Sequence, residues 1–251
     1  MQTPIFNDTT QPVPPANKAT RLVVDAPLRM FHWLFALSFM GAYITADSER
    51  WRLVHVTLGY TMAGLLVFRL LYGLLGPKPF GLGVLWRKLS SAPAWIRSLA
   101  TTDFSGKVNW RQGQNLLIAL LVVAMLCLVI PLTLSGYAIY NEWGSGLWED
   151  ALEEVHELFG NALLLVVLLH IALIAGLSIV RKNNIAQPML TGRIPGKGPD
   201  LVPGNRVWLA TVLLLAVVAF GVWQWQQSPQ GLALSASSVL QGGDGGGDTD
   251  D

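Results

Sequence analysis

Apolar residues recur along the chain in five long stretches that are separated by polar segments. A helix needs about 20 mostly apolar residues to cross a hydrocarbon layer roughly 30 Å thick. Each stretch therefore predicts a membrane-spanning helix, and the first is the most marginal in length. The five predicted spans cover approximately residues 28–46, 53–75, 114–138, 154–180 and 207–226.

The composition supports a membrane protein. Hydrophobic residues make up 52% of the 251 residues and charged residues only 13%, whereas soluble proteins carry about 25% charged residues. This excludes a soluble enzyme and a disordered chain. The one cysteine, Cys127, excludes an internal disulfide, a cysteine zinc site and a covalently attached c-type haem. The polar, proline-rich residues 1–20 predict no cleavable signal peptide.

Charge is distributed unevenly between the loops. The N-terminal segment and the loops after spans two and four carry most of the 17 lysines and arginines. The other loops and the C-terminal tail carry most of the 16 acidic residues. By the positive-inside rule, the N-terminus is cytoplasmic and the C-terminus periplasmic. Residues 83–100 alternate apolar and basic side chains, which predicts a segment lying at the cytoplasmic membrane surface.

All four histidines lie within the predicted spans, although the spans cover only about half of the chain. They are His32, His55, His156 and His170. Ionisable residues are rare in membrane helices and usually have a function there. A single histidine of this kind is readily explained by packing or by a hydrogen bond between helices. Four together indicate a shared role.

The spacing of the histidines places them at two depths. His156 and His170 lie 14 residues apart on span four, so they share one face and are separated by about 21 Å along the axis. The directions of the spans put His55 with His156 near the periplasm and His32 with His170 near the cytoplasm. For the inner pair to be level, span four must extend into the cytoplasm or Arg29 must snorkel.

Two imidazoles from facing helices are a suitable ligand set for a bis-histidine haem in a helix bundle. Zinc is disfavoured because it prefers four clustered ligands. Arg69 shares the face of His55 and is expected to neutralise a propionate of the inner haem, with snorkelling to the surface as the alternative. Gly59 and Gly160 each follow a histidine by four residues and would leave room for a flat macrocycle, although small residues also serve helix packing.

At these residues the sequence resembles the bacterial cytochrome b561 family and the related b-type cytochrome subunit of nickel-iron hydrogenases. The resemblance covers about residues 20–195 and implies a four-helix core with two non-covalent b haems, whose iron atoms would be ligated by the four histidines. It also implies electron transfer between quinone and a redox partner. The matching stretches are APLRMFHW, RLVHVTLGYTMAGLLVFRLLYGLLGPK, GQNLLIALLVVAML with LSGY, WEDALEEVHELFGNALLLVVLLH and RKNNIAQPMLTGR.

The expected fold is an all-α integral membrane bundle of four haem-binding helices plus a fifth transmembrane helix. Residues 1–26 would form a cytoplasmic tail, and residues 27–195 the cytochrome b561-like domain. Residues 196–226 would form a linker and the fifth span, and residues 227–251 a disordered acidic periplasmic tail. The resemblance does not extend to the fifth span or to this tail.

The function expected from the sequence is a dihaem b-type cytochrome in the bacterial inner membrane. It would carry electrons between the quinone pool and a periplasmic cytochrome or oxidoreductase subunit, and its acidic outer face favours a basic partner. No nucleic-acid partner is expected. Alternatives are a superoxide:quinone oxidoreductase of the same fold, the b subunit of a hydrogenase-like complex, or a haem-free transporter with a histidine proton relay. The sequence leaves open whether the chain is a carrier or an enzyme subunit.

Overall fold

The structure, a computed structural model, describes residues 19–101 and 109–227. Residues 1–18 of the predicted N-terminal tail and residues 228–251 of the predicted acidic tail lie outside this part of the chain. Two short strands, β1 (Thr20–Leu22) and β2 (Arg193–Pro195), pair antiparallel. The α-helices within the described ranges are α1 (Ala26–Ile44), α2 (Arg52–Leu75), α3 (Leu82–Ser90), α4 (Ala92–Thr101), α5 (Trp110–Tyr140), α6 (Leu147–Val180), α7 (Gln187–Thr191) and α8 (Val207–Gln227).

Four segments of the described chain are long and apolar enough to cross a membrane, namely Glu49–Leu75, Trp110–Tyr140, Leu147–Val180 and Val207–Gln227. This confirms four of the five predicted spans as helices of suitable length and composition. The first stretch also forms a helix, α1, but α1 is not among them. Because α1 packs against both α2 and α8, it is partly shielded from lipid and tolerates more polar residues. Its crossing of the membrane stays a prediction.

Two apolar clusters hold the helices together. The first joins α1, α2, α5 and α6 through residues that include Phe39, Met62, Val129 and Leu163. The second joins α1 and α2 to α8, with Leu213 of α8 at its centre. The four helices that carry or face the histidines therefore form one bundle, and α8 packs on its outside.

Within the bundle, the helix backbones pack most closely in two pairs. α1 runs along α2, and α5 runs along α6. Among the described helices, α6 makes no comparably close backbone approach to α1 or α2. Because α6 approaches these two helices mainly through side chains, the imidazoles of the two helix pairs face each other across the bundle.

α6 is longer than a membrane span requires. Its 34 residues extend about 51 Å at 1.5 Å per residue, compared with a hydrocarbon layer of roughly 30 Å. Its first turn contains Glu149 and Asp150, which are exposed. The acidic start of α6 therefore projects beyond the apolar part of the bundle. α5 continues without a break through Pro131.

A polar network that the sequence did not predict closes the basic end of the bundle. Asp25 caps the N-terminus of α1 and is fully buried. Its carboxylate accepts a hydrogen bond from the Tyr72 hydroxyl, and this hydroxyl accepts one from Arg206 at 3.3 Å. A buried carboxylate is stable only when it is hydrogen-bonded or near a positive charge. The network therefore joins the starts of α1 and α8 to the end of α2.

Arg29 does not snorkel into the lipid headgroups. Its guanidinium donates to the carbonyl oxygen of Leu190 at 3.1 Å and to Oδ1 of Asn205 at 3.3 Å. Trp33 likewise donates to the carbonyl oxygen of Met189 at 3.1 Å. The segment after α6 therefore folds back over the start of α1, and protein atoms bind both terminal nitrogens of Arg29 at that level.

The predicted surface segment at residues 83–100 forms the short helices α3 and α4. Trp86 is largely exposed, whereas Trp95 packs at the start of α5 and donates to the carbonyl oxygen of Asn109 at 3.3 Å. Both helices contact α5. Exposed apolar residues beside Arg87 and Lys88 suit the membrane surface, and this location stays a prediction.

Candidate functional site

The structure brings His55 and His156 together. His55 lies in the first turns of α2, His156 lies in α6, and their ring centroids are 5.9 Å apart with the rings inclined by 70°. A bond between a metal and an imidazole nitrogen is about 2 Å long, so two imidazoles on opposite sides of one metal have ring centres roughly 6 Å apart. The separation of these two rings fits bis-histidine ligation.

Hydrogen bonds fix the tautomer of both rings. Nδ1 of His55 lies 2.8 Å from the carbonyl oxygen of Ala42, and Nδ1 of His156 lies 3.0 Å from that of Leu132. Carbonyl oxygens only accept hydrogen bonds, so each Nδ1 carries the proton. Each Nε2 then carries the lone pair that can bind a metal. Such hydrogen bonds to the second ring nitrogen are typical of metal-bound histidines.

The helices supply these acceptors in two ways. Ala42 lies in the last turn of α1, where carbonyl groups lack partners within the helix. On α5, Ser135 lies 3.2 Å from Nδ1 of His156, and Gly136 has no side chain to block the ring. A Cβ at residue 136 would lie only 2.8 Å from Cε1 of His156. Glycine is therefore needed at this position for the imidazole to reach the backbone of α5.

Changing Gly136 to alanine should displace His156. Because the added Cβ would contact the ring at 2.8 Å and α5 is a packed helix, the ring must move, and ligation by His156 should weaken. We expect the haem content of the purified variant to fall from two toward one per chain, measured by pyridine haemochrome assay. Gly64→Ala is the matched control, since a Cβ there has no neighbour within 4 Å. Full haem content with an unchanged spectrum in Gly136→Ala would contradict this role.

The inner pair, His32 on α1 and His170 on α6, has a different environment. The two imidazoles lie close enough to interact electrostatically. In both residues Nδ1 is buried and has no hydrogen-bond partner within the described part of the chain. His32 also stacks edge-on against Trp33, with ring centroids 5.3 Å apart. The structure therefore places the second pair within electrostatic range of each other, without the backbone acceptors that orient the outer pair.

Gly59 and Gly160, which follow the outer histidines by four residues, have few or no side-chain atoms close to them. A Cβ at Gly59 would have no neighbour within 4 Å, and one at Gly160 would meet only Leu132 at 3.8 Å. Helix packing through small residues normally brings a neighbouring helix closer than this. Room beside the backbone therefore favours the predicted role of these glycines toward a flat macrocycle, which stays a prediction.

Arg69 is buried, with 6% of its surface exposed, so it does not snorkel to the surface. Its Nη2 donates to the carbonyl oxygen of Phe80 at 3.2 Å, and Nη1 is buried without a partner. A buried, unpaired guanidinium nitrogen calls for an anion. The predicted contact with a haem propionate stays a prediction.

The histidines are not part of a larger ligand cluster. Within residues 19–101 and 109–227, no group of three or more histidine, cysteine, aspartate or glutamate side chains is arranged to hold a metal ion. Two separate pairs suit haem iron, where the macrocycle supplies the remaining ligands. They do not suit zinc.

Sequence reasoning missed the residues that orient the ligands. Ser135 and Gly136 contact His156, and Asp25 and Tyr72 close the basic end of the bundle. The signal for the first two was available, because LSGY at residues 134–137 is one of the stretches that carry the resemblance. The contacts of Asp25 join residues far apart in the chain and follow no periodic pattern.

Comparison with known proteins identifies the family. The sequence profile described as prokaryotic cytochrome b561 matches residues 23–192. No curated protein and no solved structure matches the chain significantly. The matched region contains all four histidines and extends from the residue after β1 to the residue after α7. This chain therefore belongs to the prokaryotic cytochrome b561 family.

Proposed function

We propose that this chain, which as a member of this family is a membrane-bound b-type cytochrome of electron transfer, holds two haems. It would carry electrons across the inner membrane between the quinone pool and a periplasmic redox partner. The observation that carries this proposal is the facing outer pair, His55 and His156, with a centroid separation of 5.9 Å and both Nδ1 atoms hydrogen-bonded to backbone carbonyls.

The outer site is suited to hold an iron in two oxidation states. When bound, haem would supply a one-electron Fe(III)/Fe(II) couple. The Ala42 and Leu132 carbonyls keep the imidazoles of His55 and His156 oriented. Because the imidazoles are held in place, they would move little when the iron gains or loses an electron. Hydrogen bonds to Nδ1 also make the imidazoles more basic.

The second haem would be held by His32 and His170. These residues lie on α1 and α6, at the level where Arg29 is bound by Leu190 and Asn205. His156 and His170 share one face of α6 and lie about 21 Å apart along its axis. The edges of two haems held by these residues would therefore lie closer together than 21 Å. Electron transfer between the two haems would then need no movement of the protein.

The charge pattern supports the proposed orientation. The end of the bundle formed by β1, β2 and α7 carries arginines, including Arg29, Arg193 and Arg206, whereas the start of α6 carries exposed carboxylates. By the positive-inside rule the first end is cytoplasmic and the second periplasmic. The outer histidine pair then lies near the periplasm, where a soluble redox partner would dock.

Haem stoichiometry tests this function. We expect a pyridine haemochrome assay of the purified chain to give two b-type haems per protein, because the described structure contains two histidine pairs. A ratio near one would contradict the assignment of the inner pair. No haem after supplementation during expression would contradict the cytochrome itself and favour a haem-free transporter.

A further inference from the structure

A basic, glycine-lined cavity lies at the end of α2 and is separate from the histidine pairs. Its volume is about 430 Å³, and its lining includes Gly73, Gly76, Gly81 and Gly83. These residues belong to the end of α2, the following turn and the start of α3. Glycines leave backbone N–H groups accessible to a ligand, and the cavity is large enough for a phosphate-bearing headgroup.

Positive charge surrounds this cavity. Lys78 and Arg87 line it, and no carboxylate is among its lining residues. Arg69 lies directly behind the lining, because its unpaired Nη1 is 2.8 Å from the position that a Cβ on Gly73 would take. This guanidinium is buried, and among the described residues nothing negatively charged neutralises it. The electrostatic potential in the cavity is therefore positive, which suits an anion.

The start of α3 adds hydrogen-bond donors. Gly81 is the N-cap residue of this nine-residue helix and has no side chain to accept from the first N–H groups. Gly83, in the first turn, lines the cavity. Free N–H groups at a helix N-terminus bind phosphate groups readily. Together with Lys78, Arg87 and the buried Arg69, they make a site for a phosphate.

The surroundings point to a lipid and not to a soluble anion. Leu74 lines the cavity and is largely exposed, as are Leu71 and Leu75 on the last turns of α2. Trp86 on α3 is also exposed. An apolar helix face that leads directly to a basic pocket matches a phospholipid, whose acyl chains lie along the helix below its headgroup. We propose that this cavity binds the headgroup of an anionic phospholipid in the cytoplasmic leaflet.

Lipid retention measured by native mass spectrometry tests the proposal. The full-length protein is purified in detergent and mixed with equal amounts of phosphatidylglycerol and phosphatidylcholine. We expect the wild type to retain phosphatidylglycerol preferentially. K78Q/R87Q should bind it about 25-fold more weakly, since each basic residue near an anionic lipid contributes roughly fivefold to affinity. K182Q/R193Q is the matched control, because it removes the same charge at the same end of the bundle outside the cavity.

A third variant tests the cavity itself. A Cβ on Gly83 would have no neighbour within 4 Å, so G83E should fold and place a carboxylate in the site. It should lose phosphatidylglycerol while keeping the haem spectrum of the wild type. Equal retention by K78Q/R87Q and K182Q/R193Q would overturn the proposal, as would no preference over phosphatidylcholine. Displacement of the lipid by millimolar inorganic phosphate would show that the site takes a free anion, which would also overturn it.

Discussion

Replacing either His55 or His156 by alanine is expected to remove the same haem and to leave the other in place. The ring centroids of the two imidazoles are 5.9 Å apart and both residues would hold the same haem, so losing either one removes one of its two protein ligands. Replacing His32 or His170 should remove the other haem. Pyridine haemochrome assay gives the total, and a potentiometric titration followed in the visible spectrum shows which of the two haems remains.

Double variants make the pairing decisive. H55A/H156A should keep one haem, because both changes affect the same site, whereas H32A/H55A should keep none. The haem retained in H55A/H156A shows at the same time that the bundle has folded. The opposite result, with one haem retained in H32A/H55A and none in H55A/H156A, would mean that each haem is held by α1 and α2 or by α6 alone. That outcome would contradict the depths assigned to the four histidines.

Electron exchange with a basic periplasmic protein is expected to slow as the salt concentration rises. The start of α6 carries a group of carboxylates within two turns of His156, and all of them are exposed. A field of this kind raises association rates by about 10- to 1000-fold at low salt. At about 0.15 M salt the field extends only roughly 8 Å, so the acceleration should largely disappear. The residues are Glu149, Asp150, Glu153 and Glu154.

Neutralising these four residues to glutamine or asparagine should lower the low-salt rate about tenfold and flatten its salt dependence. Stopped-flow oxidation of the reduced cytochrome by candidate carriers at several ionic strengths measures both effects. The matched control neutralises Asp244, Asp248, Asp250 and Asp251 in the predicted tail, which should matter less because those charges would lie farther from the outer histidines on average. A rate that responds to neither salt nor the α6 changes would show that these carboxylates only set topology and would favour a membrane-embedded partner.

The sequence predicted best those features that follow from the spacing of apolar residues and histidines along a helix. Apolar stretches of suitable length predicted the helices that became α2, α5, α6 and α8, and the 14-residue spacing of His156 and His170 predicted one face at two depths. α1 was harder to judge, because Arg29 and His32 near its start lower the mean hydropathy of the stretch that is most marginal in length. The bundle with α8 outside it followed from the resemblance and from the number of stretches.

The details of the site depend on contacts between residues of different helices, which the spacing of residues along one helix does not predict. Gly136 contacts His156 only because α5 and α6 pack with a particular rotation, and Ala42 accepts from His55 only because α1 ends at that level. Arg69 was predicted to face the bundle interior, yet its guanidinium reaches Phe80 in the loop after α2. Such contacts are set by the relative heights of helices that the sequence places only to within several residues.

The pairing of β1 with β2 has a consequence for biogenesis. Thr20 to Leu22 leave the ribosome early, but their partners Arg193 to Pro195 follow some 170 residues later. At roughly 5–20 residues per second, the first strand waits about ten to thirty seconds for its partner. During that interval the Tyr72 hydroxyl, which donates to Asp25, lacks its donor Arg206, and Arg29 lacks Leu190 and Asn205. The pairing of β1 with β2 therefore forms only after α6 has been synthesised and inserted. The basic end of the bundle is completed after the membrane helices that precede it.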